Sequence, residues 1–148
     1  MAQSRALLFD SSVLIPIIRG EADEALFQRA LRTGRARLSS VVMQELYAGA
    51  RTRADKKNYD GISQAFVRRG YMVTPNHDEW ILSGVLLARY QQQYGEVEPR
   101  DHINDILIAL CAVQAGATLV TENVVDMERW KRMLGRSGKT FRIQSVTR

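Results

Sequence analysis

A chain of 148 residues, 45% hydrophobic and 25% charged, suits one domain with an adequate core and has an ordinary globular make-up. No apolar run is long enough to span a bilayer and no signal-peptide layout opens the chain, so membrane residence is excluded and a cytoplasmic location is expected. One cysteine, Cys111, excludes an internal disulfide and, inside the apolar run 106–113, reads as a buried inert thiol.

The net charge of +5 favours an anionic partner, nucleic acid or an acidic protein. It is spread from Arg51, Arg53, Lys56, Lys57, Arg68 and Arg69 to Arg129, Lys131, Arg132, Arg136 and Lys139, with no basic tail. No repeat, low-complexity segment or linker divides residues 1–148, which read as a single domain.

In chain order, Ala6 to Phe9 is a continuous apolar run of the kind buried on both faces of a parallel sheet, and it ends on Asp10. Residues 13–19 read as a short helix with Pro16 near its first turn and Gly20 as its stop. Helical spacing continues over 21–32, up to Gly34. A short strand over 35–38 leads through the Ser39-Ser40 cap into a helix over 41–50. A basic helix over 54–69 stops at Gly70, and 71–73 is a brief strand. A long helix over 77–94, a turn over 95–99 and the most apolar helix, over 100–115, follow. Gly116 suits a left-handed residue after that helix. Residues 117–121 form another buried strand, 124–134 a helix, and 140–146 an edge strand. Strands separated by helices predict an α/β fold, a three-layer α/β/α sandwich around a mainly parallel sheet.

Ligands in such sheets sit outside the carboxyl ends of the strands, where Asp10 stands, although Asp10 alone reads equally as a helix cap. Glu45 has Val41, Val42, Ala48 and Gly49 as its helical neighbours, a costly setting for a carboxylate unless a cation meets it. Asp105 opens the run Asp-Ile-Leu-Ile-Ala-Leu, with Asp101 one turn earlier and Asn104 as an alternative cap. After the strand 117–121 come Glu122, Asn123 and Asp126, which also read as loop and cap residues. Taken jointly, Asp10, Glu45, Asp105 and Asn123 or Asp126 are expected at one sheet edge, where carboxylates would repel and call for a cation. All-oxygen ligation selects a hard ion, Mg²⁺ or Mn²⁺, and such a cluster suits attack by water on a phosphodiester. His77 and His102 have no motif spacing and read as surface or packing residues.

Four segments carry a resemblance: Leu8-Phe-Asp10-Ser-Ser-Val, Ser39-Ser-Val-Val-Met-Gln-Glu45-Leu-Tyr-Ala-Gly, Asn104-Asp105-Ile-Leu-Ile-Ala, and Leu119-Val-Thr121-Glu-Asn123-Val-Val-Asp126. In order and spacing they resemble a PIN domain, and the whole chain is similar to the VapC branch, ribonuclease toxins of type II toxin–antitoxin modules. The resemblance implies that Asp10, Glu45 and Asp105 bind Mg²⁺ or Mn²⁺, with Asn123 or Asp126 in the fourth place. It makes Ser12 and Thr121 hydroxyls that orient the carboxylates. Implied further are an endoribonuclease acting on tRNA or ribosomal RNA loops, leaving a 5′-phosphate and a 3′-hydroxyl, and a homodimer held by a cognate antitoxin in a heterotetramer or larger assembly. The antitoxin footprint is expected on the helices over 21–32 and 41–50 and on the basic helix after them. Arg51, Arg53, Arg100 and Arg129 are candidates for contact with the RNA backbone. The rival readings are a non-catalytic PIN module that binds RNA or protein, and a DNase or housekeeping RNA-processing nuclease on the same fold.

Overall fold

The computed structural model describes residues 5–146. Its core is a five-stranded sheet of β1 (Leu7–Phe9), β2 (Ala36–Ser39), β3 (Met72–Val73), β4 (Thr118–Val120) and β5 (Arg142–Gln144). All neighbours run parallel, in the order β3-β2-β1-β4-β5. Registers such as Leu7 with Ala36 on one side and Leu7 with Thr118 on the other make β1 the central strand. Leu7, Leu8 and Phe9 are all buried although successive side chains point to opposite faces, so both faces are covered. Phe9 meets Phe27 edge to face, with ring centroids 5.0 Å apart.

The helices are α1 (Ser11–Ile18), α2 (Ala25–Arg32), α3 (Ser40–Ala48), α4 (Arg53–Arg69), α5 (His77–Tyr94), α6 (Ile103–Ala115) and α7 (Val124–Gly135). From β1 the chain steps outward to β2 and β3 through α1 to α4, then recrosses to β4 and β5 through α5 to α7. Right-handed crossovers place these two helix groups on opposite faces, which yields the three layers expected. None of the described helices is long and apolar enough to cross a membrane.

Caps explain several helix boundaries. The Ser39 hydroxyl accepts from Val41 N at 3.0 Å, so β2 passes into α3 without a loop. Thr52 with Asp55, and Asn76 with Glu79, close reciprocal capping boxes at the starts of α4 and α5. Gly70 and Gly116 take the left-handed conformation that ends α4 and α6, at φ 74° and 60°.

Several boundaries depart from the sequence expectation. The helix expected over 21–32 begins only at Ala25, because Asp23 Oδ1 accepts from Ala25 N and diverts the chain into a turn. α1 begins at Ser11, two residues early, so Pro16 lies past its first turn and leaves the Ser12 carbonyl without a helical donor. The helix expected over 100–115 is split: a 3₁₀ turn over Pro99–Asp101 precedes α6, with His102 at the junction. The edge strand expected over 140–146 pairs only through Arg142–Gln144.

Candidate active site

The sheet order reverses between β1 and β4, whose following segments leave in opposite directions, and the carboxyl ends of these strands open a crevice. Asp10 follows β1 and Thr121 follows β4, joined at the backbone by Asp10 N donating to Val120 O at 2.9 Å. Asp10 is 3% exposed, and its carboxylate accepts three hydrogen bonds. Ser11 N donates to Oδ1, and the hydroxyls of Ser12 and Thr121 donate to Oδ2, each at 2.8 Å. Asp10 is thus both the cap of α1 and a pinned carboxylate; the two readings are not rivals. Ser12 Oγ also lies 3.3 Å from Thr121 Oγ1 and accepts from Glu122 N at 3.1 Å. Thr121 Oγ1 accepts in turn from Asn123 N at 2.9 Å.

Glu45 enters from α3, half-buried beside Leu46 and Val42. The Ser11 hydroxyl donates to its Oε1 at 2.9 Å, and Asn104 Nδ2 reaches its Oε2 at 3.5 Å and Gln44 Oε1 at 3.3 Å. Burial raises the Glu45 pKa above its ordinary value, the Ser11 hydrogen bond works against that, and the Asp10 charge adds to it. Asp105, on the first turn of α6, is pushed up to about 7. Burial is the main cause, followed by the charges of Asp10, Glu45 and Asp126, while Arg129 opposes them. Three acids from three other segments therefore act on one carboxyl group.

Asp126 and Asn123 fare differently. Asp126 is half-buried, pairs with Arg129 Nη1 at 3.2 Å and contributes to the field on Asp105. Asn123 is exposed, and as the first cap residue of α7 its side chain makes no capping bond. Glu122 turns away to accept from Ser145 Oγ at 3.0 Å and Val146 N at 2.8 Å. Of the arginines expected to contact a nucleic acid backbone, Arg51, Arg53 and Arg100 are exposed, whereas Arg129 is engaged with Asp126 inside the cluster. His102 packs against Tyr90 and Trp130, and Cys111 is buried with its pKa raised to about 11.

Sequence reasoning missed one contributor, Ser11, and gave another, Arg129, a different part, as a contact for the RNA backbone. Ser11 bridges the acids, its N–H on Asp10 and its hydroxyl on Glu45, a long-range contact with no local signal in the sequence. Arg129 is the cluster's counter-charge, signalled by its position three residues after Asp126 on one helix.

The donor chemistry fits a hard divalent cation: every group is a carboxylate, none is histidine or cysteine, and two of the acids carry raised pKa values that a cation would reverse. The acids are within electrostatic reach of one another but spread apart. Among the described residues no three Asp, Glu, His or Cys side chains are drawn together tightly enough to grip one ion.

No curated protein sequence matches the chain as a relative. Solved structures match its fold. VapBC from Salmonella typhimurium, bound to DNA, superposes with a TM-score of 0.65 at 22% identity over 95% of this chain and 98% of its own. VapBC2 from Rickettsia felis, bound to a fragment of its promoter DNA, gives 0.62 at 19% identity over 95% and 98%. VapBC-1 from nontypeable Haemophilus influenzae gives 0.63 at 16% identity over 97% and 99%. The sequence itself matches the PIN domain over residues 7–129. With that match across most of its length, the chain belongs to the PIN domain family.

Proposed function

We propose that this chain is a divalent-metal-dependent endoribonuclease of the VapC toxin type, acting on single-stranded loops of structured RNA and restrained by a cognate antitoxin. The observation that carries the reading is the convergence of acids on Asp105: partly buried on the first turn of α6, it lies within the charges of three others, from the end of β1, from α3 and from α7. A fold gains no stability from such repulsion, so its use is chemical.

Asp10, Glu45 and Asp105 would hold the ion, Mg²⁺ or Mn²⁺, with Asp126 as the fourth acid. When bound, it supplies Lewis acidity at phosphorus and a water of lowered pKa. The chain's own residues do the rest. Ser11 N, Ser12 and Thr121 hold Asp10 in a fixed orientation, and Ser11 ties Glu45 to the same frame. Without the ion Asp105 is pushed up to about 7, and the ion would draw it into its ionised, ligating form. Arg129 offsets the Asp126 charge.

An antitoxin partner is supported by the neighbouring folds, which are VapBC complexes. A groove of about 440 Å³ between α2 and α4, lined by Leu31, Ala65 and Phe66 with Arg32 and Arg69 on its rim, suits an acidic segment carrying apolar anchors. We take the assembly to be a toxin homodimer holding its antitoxin, with the chain in the cytoplasm.

The test is cleavage of single-stranded RNA by the purified chain with Mg²⁺ or Mn²⁺. Asp10→Asn should abolish cleavage and keep RNA binding. A second reading, a binding module without catalysis, is favoured by the spread of the acids. Wild-type protein that binds RNA but leaves it intact with either ion would select that reading.

A further inference from the structure

Beside the acids lies a run of aromatic rings that the chemistry above does not use. Tyr94, at the end of α5, is 67% exposed, with its ring centroid 4.8 Å from that of Tyr90 one turn back. Tyr90 packs on the buried Trp130 at 5.3 Å and on His102 at 5.8 Å, and these two rings lie 5.7 Å apart. The run therefore has a fixed inner end, keyed into the core, and an outer ring open to solvent.

Two cations flank it. The Arg129 guanidinium stands 5.4 Å from the Tyr90 ring centre while its Nη1 pairs with Asp126 at 3.2 Å. One side chain thus links the rings to the carboxylates. At the outer end Arg136 Nη1 donates to Gln93 Oε1 at 3.3 Å, which anchors a second guanidinium on the last turn of α5. His102 immediately precedes α6, whose first turn carries Asp105. Exposed aromatic faces interleaved with arginines are how proteins hold single strands: the cations track phosphates and the rings stack bases with little regard to sequence. A helical tyrosine pair needs no such company for stability, since spacing of four residues alone lets the rings touch.

We propose that Tyr94, backed by Tyr90, is a base-stacking subsite for a nucleotide flanking the cleavage site of a single-stranded RNA, with Arg136 on its phosphate track. The subsite rests on the nuclease reading for its role, but its existence is tested separately.

The experiment measures affinity in EDTA for a fluorescein-labelled single-stranded oligoribonucleotide of about ten nucleotides, and for the same backbone with abasic residues throughout. Tyr94→Ala should weaken binding of the base-bearing strand about 5- to 100-fold, the range for one lost stacking contact. It should leave binding of the abasic strand at the wild-type level, and Tyr94→Phe should restore the base-dependent affinity. The proposal is overturned if Tyr94→Ala binds the base-bearing strand as wild type does, or loses both strands equally. It is also overturned if the variant changes only the oligomeric state, which would make the rings an interface between copies. Cleavage of a longer RNA with Mn²⁺ is read in parallel. No cleavage by a wild type that discriminates between the two strands sinks the nuclease reading alone; cleavage without discrimination sinks the stacking subsite alone.

Discussion

Thr121 and Asp10, 111 residues apart in sequence, are joined by a 2.8 Å hydrogen bond from Oγ1 to Oδ2 across the switch point of the sheet. The bond satisfies a buried carboxylate, and through Asn123 N it also anchors the loop that starts α7. Thr121→Val keeps the shape and removes the hydroxyl. The expected result is a loss of about 1–3 kcal/mol in urea unfolding, the cost of leaving a buried acceptor short of one donor. Cleavage should fall by about tenfold or more through misorientation of Asp10. Ser12→Ala should behave alike but more mildly, since Ser12 is half-buried and water can replace it.

The raised carboxyls give stability without metal a definite dependence on pH. Asp105 has an ordinary value of 3.8 and a folded value of about 7, and Glu45 is shifted in the same direction. A carboxyl raised by folding stabilises fully below its unfolded pKa, and this contribution is lost as pH rises through the folded pKa. Thermal melts in EDTA should therefore show this contribution falling between about pH 4 and pH 7. Asp105→Asn should flatten that slope and raise the melting temperature at pH 8. Mg²⁺ or Mn²⁺ should stabilise the wild type at pH 8 and do little at pH 5. A wild type that melts identically with and without metal at pH 8 would contradict the ligand assignment.

How much of this was legible beforehand depends on range. Buried strands such as Leu7–Phe9 and the apolar α6 announce themselves by composition, because burial on both faces leaves no polar positions. The acids were legible as candidates because Glu45 and Asp105 sit on apolar helix faces where a carboxylate is out of place. What the sequence does not carry is the partner of each polar group. Nothing in Ser11 announces a bond to Glu45 across 34 positions, since that contact exists only once β1 and β2 pair. The start of α2 was misjudged for a local reason: the Asp23 side chain competes with the helix for Ala25 N.

Cys111 offers a probe of the native core. Its thiol is buried, donates weakly towards Val73 O at 3.8 Å, and has its pKa raised to about 11. Reaction with a disulfide reagent requires the thiolate and access, and the fold denies both. In native protein at pH 8 the thiol should be silent on the timescale of minutes and react fully once urea unfolds the chain. Rapid labelling without denaturant would mean that the packing of α6 against β2 and β3 opens locally.

The remaining choice at the site is between Asn123 and Asp126. Asp126 acts on Asp105 and is half-buried, whereas Asn123 is exposed and uncommitted. Asp126→Asn should relieve one of the charges on Asp105, lowering the pH midpoint of that carboxyl, and should free Arg129 from its 3.2 Å pair. Cleavage should drop by about 100-fold if the fourth acid helps hold the ion. Asn123→Ala should cost no more than about threefold, because its bonds are made by the backbone, N–H to Thr121 and C=O from Met127 N, which alanine keeps. Mn²⁺ titration followed by calorimetry separates the two cases: weaker ion binding in Asp126→Asn with wild-type binding in Asn123→Ala places the fourth ligand on α7, and the reverse moves it to the loop.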